Sequence, residues 1–125
     1  MRRLRELDED VSRLREEETV DPRVSFDSDI GRVPTRTDPD GTRWFSVRLF
    51  IQPKRGFDLH SIERVVYVLH PTFSPSQVAV LDPQNGFALE IESWGDFHAM
   101  AQVHFKAGET RTLVQYLPIG VKTAY

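Results

Sequence analysis

The segment VVYVLHPTF, from Val65 to Phe73, contains an apolar run that stops abruptly at a proline. A near-continuous run of Val, Leu and Tyr is typical of a strand that is buried on both faces, so the segment predicts a core strand. Proline has no amide hydrogen to donate to a sheet ladder, and Pro71 therefore ends the strand. The pattern predicts that a buried strand delivers His70, Thr72 and Phe73 onto a loop.

A second segment, ESWGDF at Glu92 to Phe97, predicts another loop with a large aromatic side chain. It closes an alternating segment that begins at Phe87 and is typical of a half-buried strand. Trp94 then stands before Gly95, a residue whose backbone enters turns readily. We therefore expect Trp94 to lie on a loop.

From Val24 onward, apolar and polar residues alternate as they do in β-strands. Clusters rich in Pro, Gly, Asp and Asn separate the alternating segments. This pattern predicts an all-β fold, an immunoglobulin-like β-sandwich of about seven to eight strands. The residues that are expected to share one face of a strand are Phe45, Val47, Leu49 and Ile51, then Phe87, Leu89 and Ile91, then Phe97, Ala99, Ala101, Val103 and Phe105, and finally Thr112, Val114 and Tyr116.

The two loops are expected at the same end of this sandwich if successive strands reverse direction. Val78 to Leu81 would then run down, and Phe87 to Glu92 would run back up. This order brings Pro71 to Ser76 next to Ser93 to Asp96, and the turn at Asp38 to Thr42 joins them. Loops that cluster at one end of a sandwich are common binding sites.

The first 18 residues follow a different pattern, with apolar side chains at heptad a and d spacing and no Pro or Gly. This predicts an amphipathic helix in residues 1–21, ahead of a sandwich in residues 22–125. Two heptads are too few to choose between a coiled coil and a helix that lies against the domain or in solvent. The charges at the two ends of the helix are opposite to those that stabilise a helix dipole, and a partner helix would compensate for them. We therefore expect the helix to mediate self-association. We also expect the sandwich to fold without it. The apolar residues are Leu4, Leu7, Val11 and Leu14.

Composition argues against several classes of protein. The chain of 125 residues carries a net charge of −3, and the acidic excess lies in residues 1–21, so the sandwich is neutral and nucleic-acid binding is not expected. Without cysteine, the chain has no disulfide, thiolate metal site or thiol nucleophile. No apolar run is long enough for a membrane span or a signal peptide, so we expect a cytoplasmic protein, or a nuclear one if the chain is eukaryotic.

Metal binding and catalysis are not indicated by the sequence either. His98 and His104 lie six residues apart on one strand face, which separates them by ~20 Å at ~3.3 Å per residue. His60 and His70 have no further ligand at a convincing spacing. The chain also lacks a G-x-S-x-G turn and a Gly-rich phosphate loop. We therefore expect no enzyme activity, no metal and no cofactor.

Taken in order, these motifs resemble those of the YEATS family. Its domains carry an LHPTF-like or LHxSF-like motif after one strand and a GWGxF-like or GYxxF-like motif after a later one. The strand TRWFSVRLFI, Thr42 to Ile51, also resembles the family's THxWxVxV strand, so the resemblance runs from about Val24 to Leu117. The family, which has prokaryotic members, uses these loops as an aromatic slot for an acylated lysine. The resemblance implies a reader of acetyl-lysine or crotonyl-lysine, whose partner is an acylated protein or peptide.

The same resemblance assigns roles to individual residues. It makes Phe73 and Trp94 the two walls of an aromatic cage around the flat acyl amide. It makes the Thr72 hydroxyl the acceptor for the amide N–H, and the backbone N–H groups of Trp94 and Gly95 the donors to the acyl oxygen. His70 would brace the loop of Phe73. The acyl-lysine-binding residues implied in this way are His70, Thr72, Phe73, Ser93, Trp94, Gly95 and Phe97.

Several alternatives stay open. A loop Phe or Trp can plug the end of the core instead of facing a ligand, as in a structural or oligomerisation domain. Trp94 could also serve as a stacking platform in a sandwich that binds a sugar or another small ligand. His70 could simply bond to the backbone at the end of its strand. Ser93 stands where many family members have Gly, and Thr37 to Arg43 has no aromatic residue, which favours a shallower or more open slot.

Overall fold

A computed structural model describes residues 20–119 of the chain. These residues form two antiparallel sheets, so the predicted all-β sandwich of about eight strands is confirmed for them. The helix predicted in residues 1–18 lies outside the described residues. The strands are β1 (Val24–Ile30), β2 (Arg36–Thr37), β3 (Arg43–Pro53), β4 (Ile62–Val68), β5 (Gln77–Val80), β6 (Leu89–Ser93), β7 (Phe97–Phe105) and β8 (Thr110–Leu117).

The first sheet is built around β3, the longest strand. Val47 and Leu49 of β3 pair with β1 and also with β6, so these two strands flank β3 on opposite sides. The short strand β2 pairs with the start of β3. The second sheet has the strand order β5, β4, β7, β8. The loop that carries Trp94 therefore connects β6 of the first sheet to β7 of the second sheet.

The core lies between the two sheets and consists of alternate residues on their facing sides. The set predicted on β3, from Phe45 to Ile51, is at most 3% exposed, and the set predicted on β7, from Phe97 to Phe105, is at most 4% exposed. Each large apolar side chain that is fully buried contributes about 1.5 to 3 kcal/mol to folding. These two sets are the predicted strand faces that the structure confirms most directly.

The strand β4 differs from its prediction, because it is buried on one face only. Val65 and Tyr67 are completely buried, whereas Val66 and Val68 are half-buried on the opposite side. The first sheet covers only the inner face of the second, which explains the difference between the two sides of β4. The prediction of a strand buried on both faces is therefore wrong for the described residues.

The residues predicted to share a face of β8, Thr112, Val114 and Tyr116, do share one, but it is the outward face rather than the core face. Leu113 and Leu117 point into the core and are at most 2% exposed, whereas Tyr116 is 44% exposed. The cause is the register with β7, in which Leu113 pairs with Ala101 and Leu117 pairs with Phe97. Residues that pair across an antiparallel ladder share a face of the sheet, so the buried residues of β7 place these two leucines in the core. The core residues of β8 are thus one position away from the predicted set of Thr112, Val114 and Tyr116.

The turn before β6 takes Phe87 out of the strand in which it was predicted. Phe87 has a left-handed backbone with φ of 55° and is fully buried. Its carbonyl oxygen accepts a hydrogen bond of 2.7 Å from the hydroxyl of Tyr67, whose pKa is raised by burial. The preceding Gly86 has φ of +67°, and a Cβ atom there would lie 2.5 Å from the carbonyl oxygen of Ile51. Glycine is therefore required at the point where this turn crosses β3.

A cluster of charged groups fixes the start of the described chain against the sandwich. Asp21 is 1% exposed, and it accepts hydrogen bonds from the backbone N–H and the guanidinium of Arg23. Burial alone would raise the pKa of Asp21, but the hydrogen bonds and charge of Arg23, together with the charge of Arg111, hold this pKa below its usual value. Lys54 Nζ donates to the backbone oxygen of Asp21 across 2.8 Å. The ionised carboxylate therefore ties the segment before β1 to β8.

No helix within residues 20–119 is both long and apolar enough to cross a membrane.

Candidate functional site

A small cavity lies between two loops at one end of the sandwich. One loop joins β4 to β5, and the other joins β6 to β7. The cavity and the solvent at its mouth together make up about 270 Å³ of space free of protein atoms. The structure thus brings together two loops that lie far apart in sequence, as predicted. The lining residues are Trp44, Thr72, Phe73, Ser93, Trp94 and Gly95, and all of them except Trp44 were predicted as site residues.

The loop between β4 and β5 is held closed by its own backbone. The N–H of Leu69 donates to the oxygen of Ser76 across 2.7 Å, which joins the two ends of the loop. The N–H of Phe73 donates to the oxygen of His70 across 2.9 Å and forms a turn. This turn leaves Thr72 exposed at the tip and directs Phe73 back toward the sandwich, where it is half-buried.

His70 lies beneath this turn and is fully buried, so it does not line the cavity. Its Nδ1 accepts the backbone N–H of Thr72 at 3.2 Å and lies 3.0 Å from the Thr72 hydroxyl oxygen. Because Nδ1 is an acceptor, the neutral ring carries its proton on Nε2, which has no hydrogen-bond partner within residues 20–119. Nδ1 has a single lone pair, so the Thr72 hydroxyl shares this nitrogen with the backbone N–H. A hydroxyl oxygen has two lone pairs and can accept a hydrogen bond from a ligand as well.

Phe97 also lies behind the cavity rather than in its wall. It is fully buried, and its ring centroid is 5.2 Å from that of Phe73, with an angle of 47° between the planes. Tilted aromatic pairs at this distance attract each other beyond the area that they bury. Phe97 therefore supports the ring of Phe73 from the core side.

Ser93 closes the loop between β6 and β7 through its side chain. Ser93 is 3% exposed, and its hydroxyl donates to the backbone oxygen of Gly95 across 3.0 Å. Ser93 pairs with Phe45 of β3, which anchors this end of β6 in the first sheet. The hydrogen bond to Gly95 and the pairing with Phe45 together hold the backbone on either side of Trp94. The position of the indole ring therefore depends on Ser93.

Trp44 also lines the cavity, although it was not among the predicted site residues. Its Nε1 donates to the Asp38 carboxylate across 2.9 Å, and the Arg36 guanidinium carbon lies 4.1 Å from its ring centroid. A cation over an indole face is attracted by the ring, so both contacts hold Trp44 in place. Its position next to the predicted turn at Asp38 to Thr42 is the sequence signal that could have found it. Trp44 supplies the aromatic side chain that this turn itself lacks.

A second cavity lies on the other side of Trp94. It contains about 520 Å³ of empty space and is lined by Gly41, Thr42, Arg43 and Trp94. The turn between β2 and β3 therefore lies at the same end as the other two loops, as predicted. Trp94 therefore lies between the first cavity, which we call the slot, and this second, more polar cavity.

Phe73 and Trp94 each have two kinds of neighbour. Both are half-buried and pack partly against the core, and both line the cavity. The rings therefore close the end of the sandwich with one part of their surface and border the slot with another. The alternative of a pure core plug would bury both side chains completely, which the structure does not do.

The histidines outside this site have other neighbours. His98 stacks on Tyr116 at 4.9 Å between ring centroids, and His104 Nδ1 lies 3.2 Å from the Thr110 hydroxyl. Within the part of the chain that the structure describes, no group of three His, Cys, Asp or Glu side chains is arranged to hold a metal ion.

Known proteins resemble the chain in sequence pattern and in fold. The sequence model of the prokaryotic YEATS domain matches residues 45–118. The fold is similar to that of the YEATS domain of the yeast protein Yaf9 bound to H3K27ac, with a TM-score of 0.61 and 18% identity over 78% of this chain and 72% of that chain. No curated protein matches the sequence.

Two further solved structures show the same likeness. One is the yeast AF-9 homolog protein Yaf9, with a TM-score of 0.62 and 17% identity over 80% of this chain and 72% of that chain. The other is the Yaf9 YEATS domain recognizing an H3K122suc peptide, with a TM-score of 0.56 and 18% identity over 82% of this chain and 80% of that chain. At these identities the likeness shows a shared fold.

Proposed function

The chain belongs to the prokaryotic YEATS domain family, and we propose that it is a non-catalytic module that binds acylated lysine. The observation that carries the proposal is the cavity between the two loops, which is lined by Thr72, Phe73 and Trp94. Solved structures of similar fold include YEATS domains of Yaf9 with H3K27ac and with an H3K122suc peptide. The partner of this chain would be a protein or peptide with an acetylated or crotonylated lysine.

The shape of the ligand suits two aromatic walls. The amide of an acylated lysine is flat and uncharged, and the alkenyl tail of crotonyl-lysine extends the plane. Phe73 and Trp94 border the slot from different loops, and Phe97 and Ser93 hold them in place. Contact with an aromatic face is worth about 0.5 to 1.5 kcal/mol beyond the area that is buried.

The polar groups of the ligand need partners once the slot excludes water. A buried amide N–H or C=O left without a hydrogen bond costs about 1 to 3 kcal/mol. The Thr72 hydroxyl oxygen suits the amide N–H, because Thr72 lines the cavity and a hydroxyl oxygen has two lone pairs that can accept. By resemblance to the family, the backbone N–H groups of Trp94 and Gly95 would serve the acyl oxygen.

The slot also provides a physical reason for rejecting unmodified lysine. None of the described residues that line the cavity is acidic. A lysine ammonium that entered it would lose hydration without gaining an opposite charge, and such burial is strongly unfavourable. Acylation removes the charge, so the module would distinguish the two states of one side chain.

Calorimetric titration of the full chain with three matched peptides tests the proposal. The peptides contain one central lysine that is crotonylated, acetylated or unmodified. We expect heat from binding with the acylated peptides and none with the unmodified one. The indole N–H signals of Trp44 and Trp94 in a nitrogen–proton correlation spectrum should shift only with the binding peptides. Equal affinity for all three peptides would overturn the assignment.

A further inference from the structure

The outward face of the second sheet contains a patch of apolar side chains, which we call the apolar face. Polar side chains such as Gln77, Gln102 and Thr112 border it in the same rows of the sheet. At its edge, the Tyr116 hydroxyl donates a hydrogen bond to the Asp96 carboxylate. An antiparallel sheet with one face in water normally alternates apolar residues inside with polar residues outside. The residues of the apolar face are Val66, Val68, Ala79, Met100, Val114 and Tyr116.

The first sheet provides the comparison within the same molecule. Its outward face follows the expected rule, because charged residues occur along all three of its longer strands. Among the described residues, these are Asp27, Asp29, Arg48, Glu90 and Glu92. The two outward faces of one sandwich therefore differ in kind, and the apolar one is suited to a covering element.

The residues of the apolar face are neighbours across four strands. Val68 of β4 pairs with Met100 of β7, and Met100 pairs with Val114 of β8. Val66 of β4 pairs with Ala79 of β5 in the adjoining row. Paired strands lie ~4.8 Å apart, so these side chains form one continuous patch across the sheet.

The described chain begins beside this patch. Arg111 Nη2 donates to the backbone oxygen of Val20 across 2.9 Å, which fixes Val20 against β8. Val20 also lines a cavity together with Leu113 and Val114, and Val114 belongs to the apolar face. Residues 1–19 therefore join the sandwich at the β8 border of the apolar face.

The segment that precedes Val20 has an apolar stripe of matching size. Its apolar residues, Leu4 to Leu14, recur at heptad spacing among charged residues. An 18-residue helix is ~27 Å long. The four strands of the second sheet span ~14 Å, and strands of eight or nine residues are ~25 Å long. A helix of this length fits on the face when it lies along the strands or obliquely across them.

We propose that residues 1–18 form an amphipathic helix whose apolar stripe, Leu4 to Leu14, packs on the apolar face of its own chain. Only five residues separate Leu14 from Val20. A short connection within one chain gives an effective concentration on the order of millimolar, so the helix of the same chain outcompetes that of a second copy at ordinary protein concentrations. Of the two arrangements that the heptads left open, the structure thus favours the helix that lies against its domain.

Disulfide formation in the full chain tests this docking, because the natural sequence contains no cysteine. One variant combines Leu14→Cys with Met100→Cys, at the centre of the apolar face. The matched control combines Glu16→Cys with Met100→Cys. Glu16 lies closer to Val20 but on the opposite side of the helix. We expect the Leu14→Cys pair to close within one chain about tenfold faster than the control, because docking raises its effective concentration.

Two outcomes of this experiment would overturn the proposal. Equal rates for the two pairs would mean that the segment does not present its apolar stripe to the sheet. Disulfide-linked dimers as the main product would mean that a second copy fills the apolar face. A dye that fluoresces on apolar surfaces gives a separate test without cysteines: Leu14→Asp should increase its emission and Glu16→Ala should not. Equal emission from these two variants would also contradict docking.

Discussion

The backbone N–H of Thr72 donates to Nδ1 of His70 across 3.2 Å, and this bond holds the tip of the loop against a buried imidazole. The Thr72 hydroxyl oxygen lies 3.0 Å from the same nitrogen. A hydroxyl oxygen has two lone pairs, so it can still accept a hydrogen bond from the N–H of an acyl amide. A buried histidine therefore positions an exposed residue that lines the cavity.

Thr72→Ala should weaken binding of a crotonyl-lysine peptide and leave the fold intact. One neutral hydrogen bond contributes about 0.5 to 1.5 kcal/mol, and Thr72 is exposed at the tip of its loop. The measurement is calorimetric titration of the variant beside a thermal melt. Thr72→Ser keeps the hydroxyl and should bind almost as well as the wild type. A loss of affinity in both variants, or in neither, would contradict the role of the hydroxyl as acceptor.

The Trp44→Phe variant should report directly on the slot, because it leaves Trp94 as the only tryptophan. We expect acrylamide to quench Trp94 readily in the free protein, since the ring borders a cavity that opens to solvent. A saturating crotonyl-lysine peptide should reduce this quenching. The reverse variant, Trp94→Phe, reports on Trp44 as a control. Quenching of Trp94 that is unchanged by the peptide would mean that the ligand does not cover its ring.

Asp21→Asn should lower the free energy of unfolding by about 1.5 to 3 kcal/mol at neutral pH, because hydrogen bonds to a charged group are worth that much. The folded pKa of Asp21 lies below its usual value of 3.8, so the carboxylate stabilises the fold above that value. This stabilisation is lost as the pH falls through the lower folded pKa. The stability difference between variant and wild type should therefore stay constant from neutral pH to mildly acidic pH. It should shrink once the pH falls below 3.8 and approaches the folded pKa.

Urea denaturation at a series of pH values checks this expectation. Asp29→Asn is the control, since Asp29 is exposed on the outer side of β1 and should give a small difference at every pH. A stability difference for Asp21→Asn that grows in acid would have the wrong sign and would contradict the role of the ionised carboxylate.

Much of the fold could be predicted because alternation identifies a strand that is buried on one side. The set from Phe45 to Ile51 and the set from Phe97 to Phe105 are both unambiguous in this respect, and both are buried. The loops after His70 and Ser93 could be predicted from Pro71 and from the end of alternation. The direction of successive strands then placed the two loops at the same end, and the individual site residues followed from the resemblance to the family.

The rest depended on pairing that local sequence does not contain. In β8, both faces carry two apolar side chains, Leu113 and Leu117 on one and Val114 and Tyr116 on the other. Only the register with β7 therefore shows that Leu113 and Leu117 are in the core. Trp44 reaches the slot because β3 and β6 pair in one particular register, which places the start of β3 beside Trp94. The roles of His70 and Phe97 as supports also required the structure, since a buried residue next to a site resembles a lining residue in sequence.

The central claim is that Phe73 and Trp94 form the walls of an acyl-lysine slot, and one paired measurement tests it most directly. Wild type, Phe73→Ala and Trp94→Ala are titrated with crotonyl-lysine and unmodified peptides, and their thermal melts are recorded in parallel. Truncation of an aromatic residue at a binding hot spot typically costs at least ~2 kcal/mol, enough to take a weak complex below detection. The account predicts that the wild type binds only the crotonyl-lysine peptide, and that both variants stay folded but lose this binding. Variants that unfold, or a wild type that binds both peptides equally, would contradict the account and favour a structural role for the two rings.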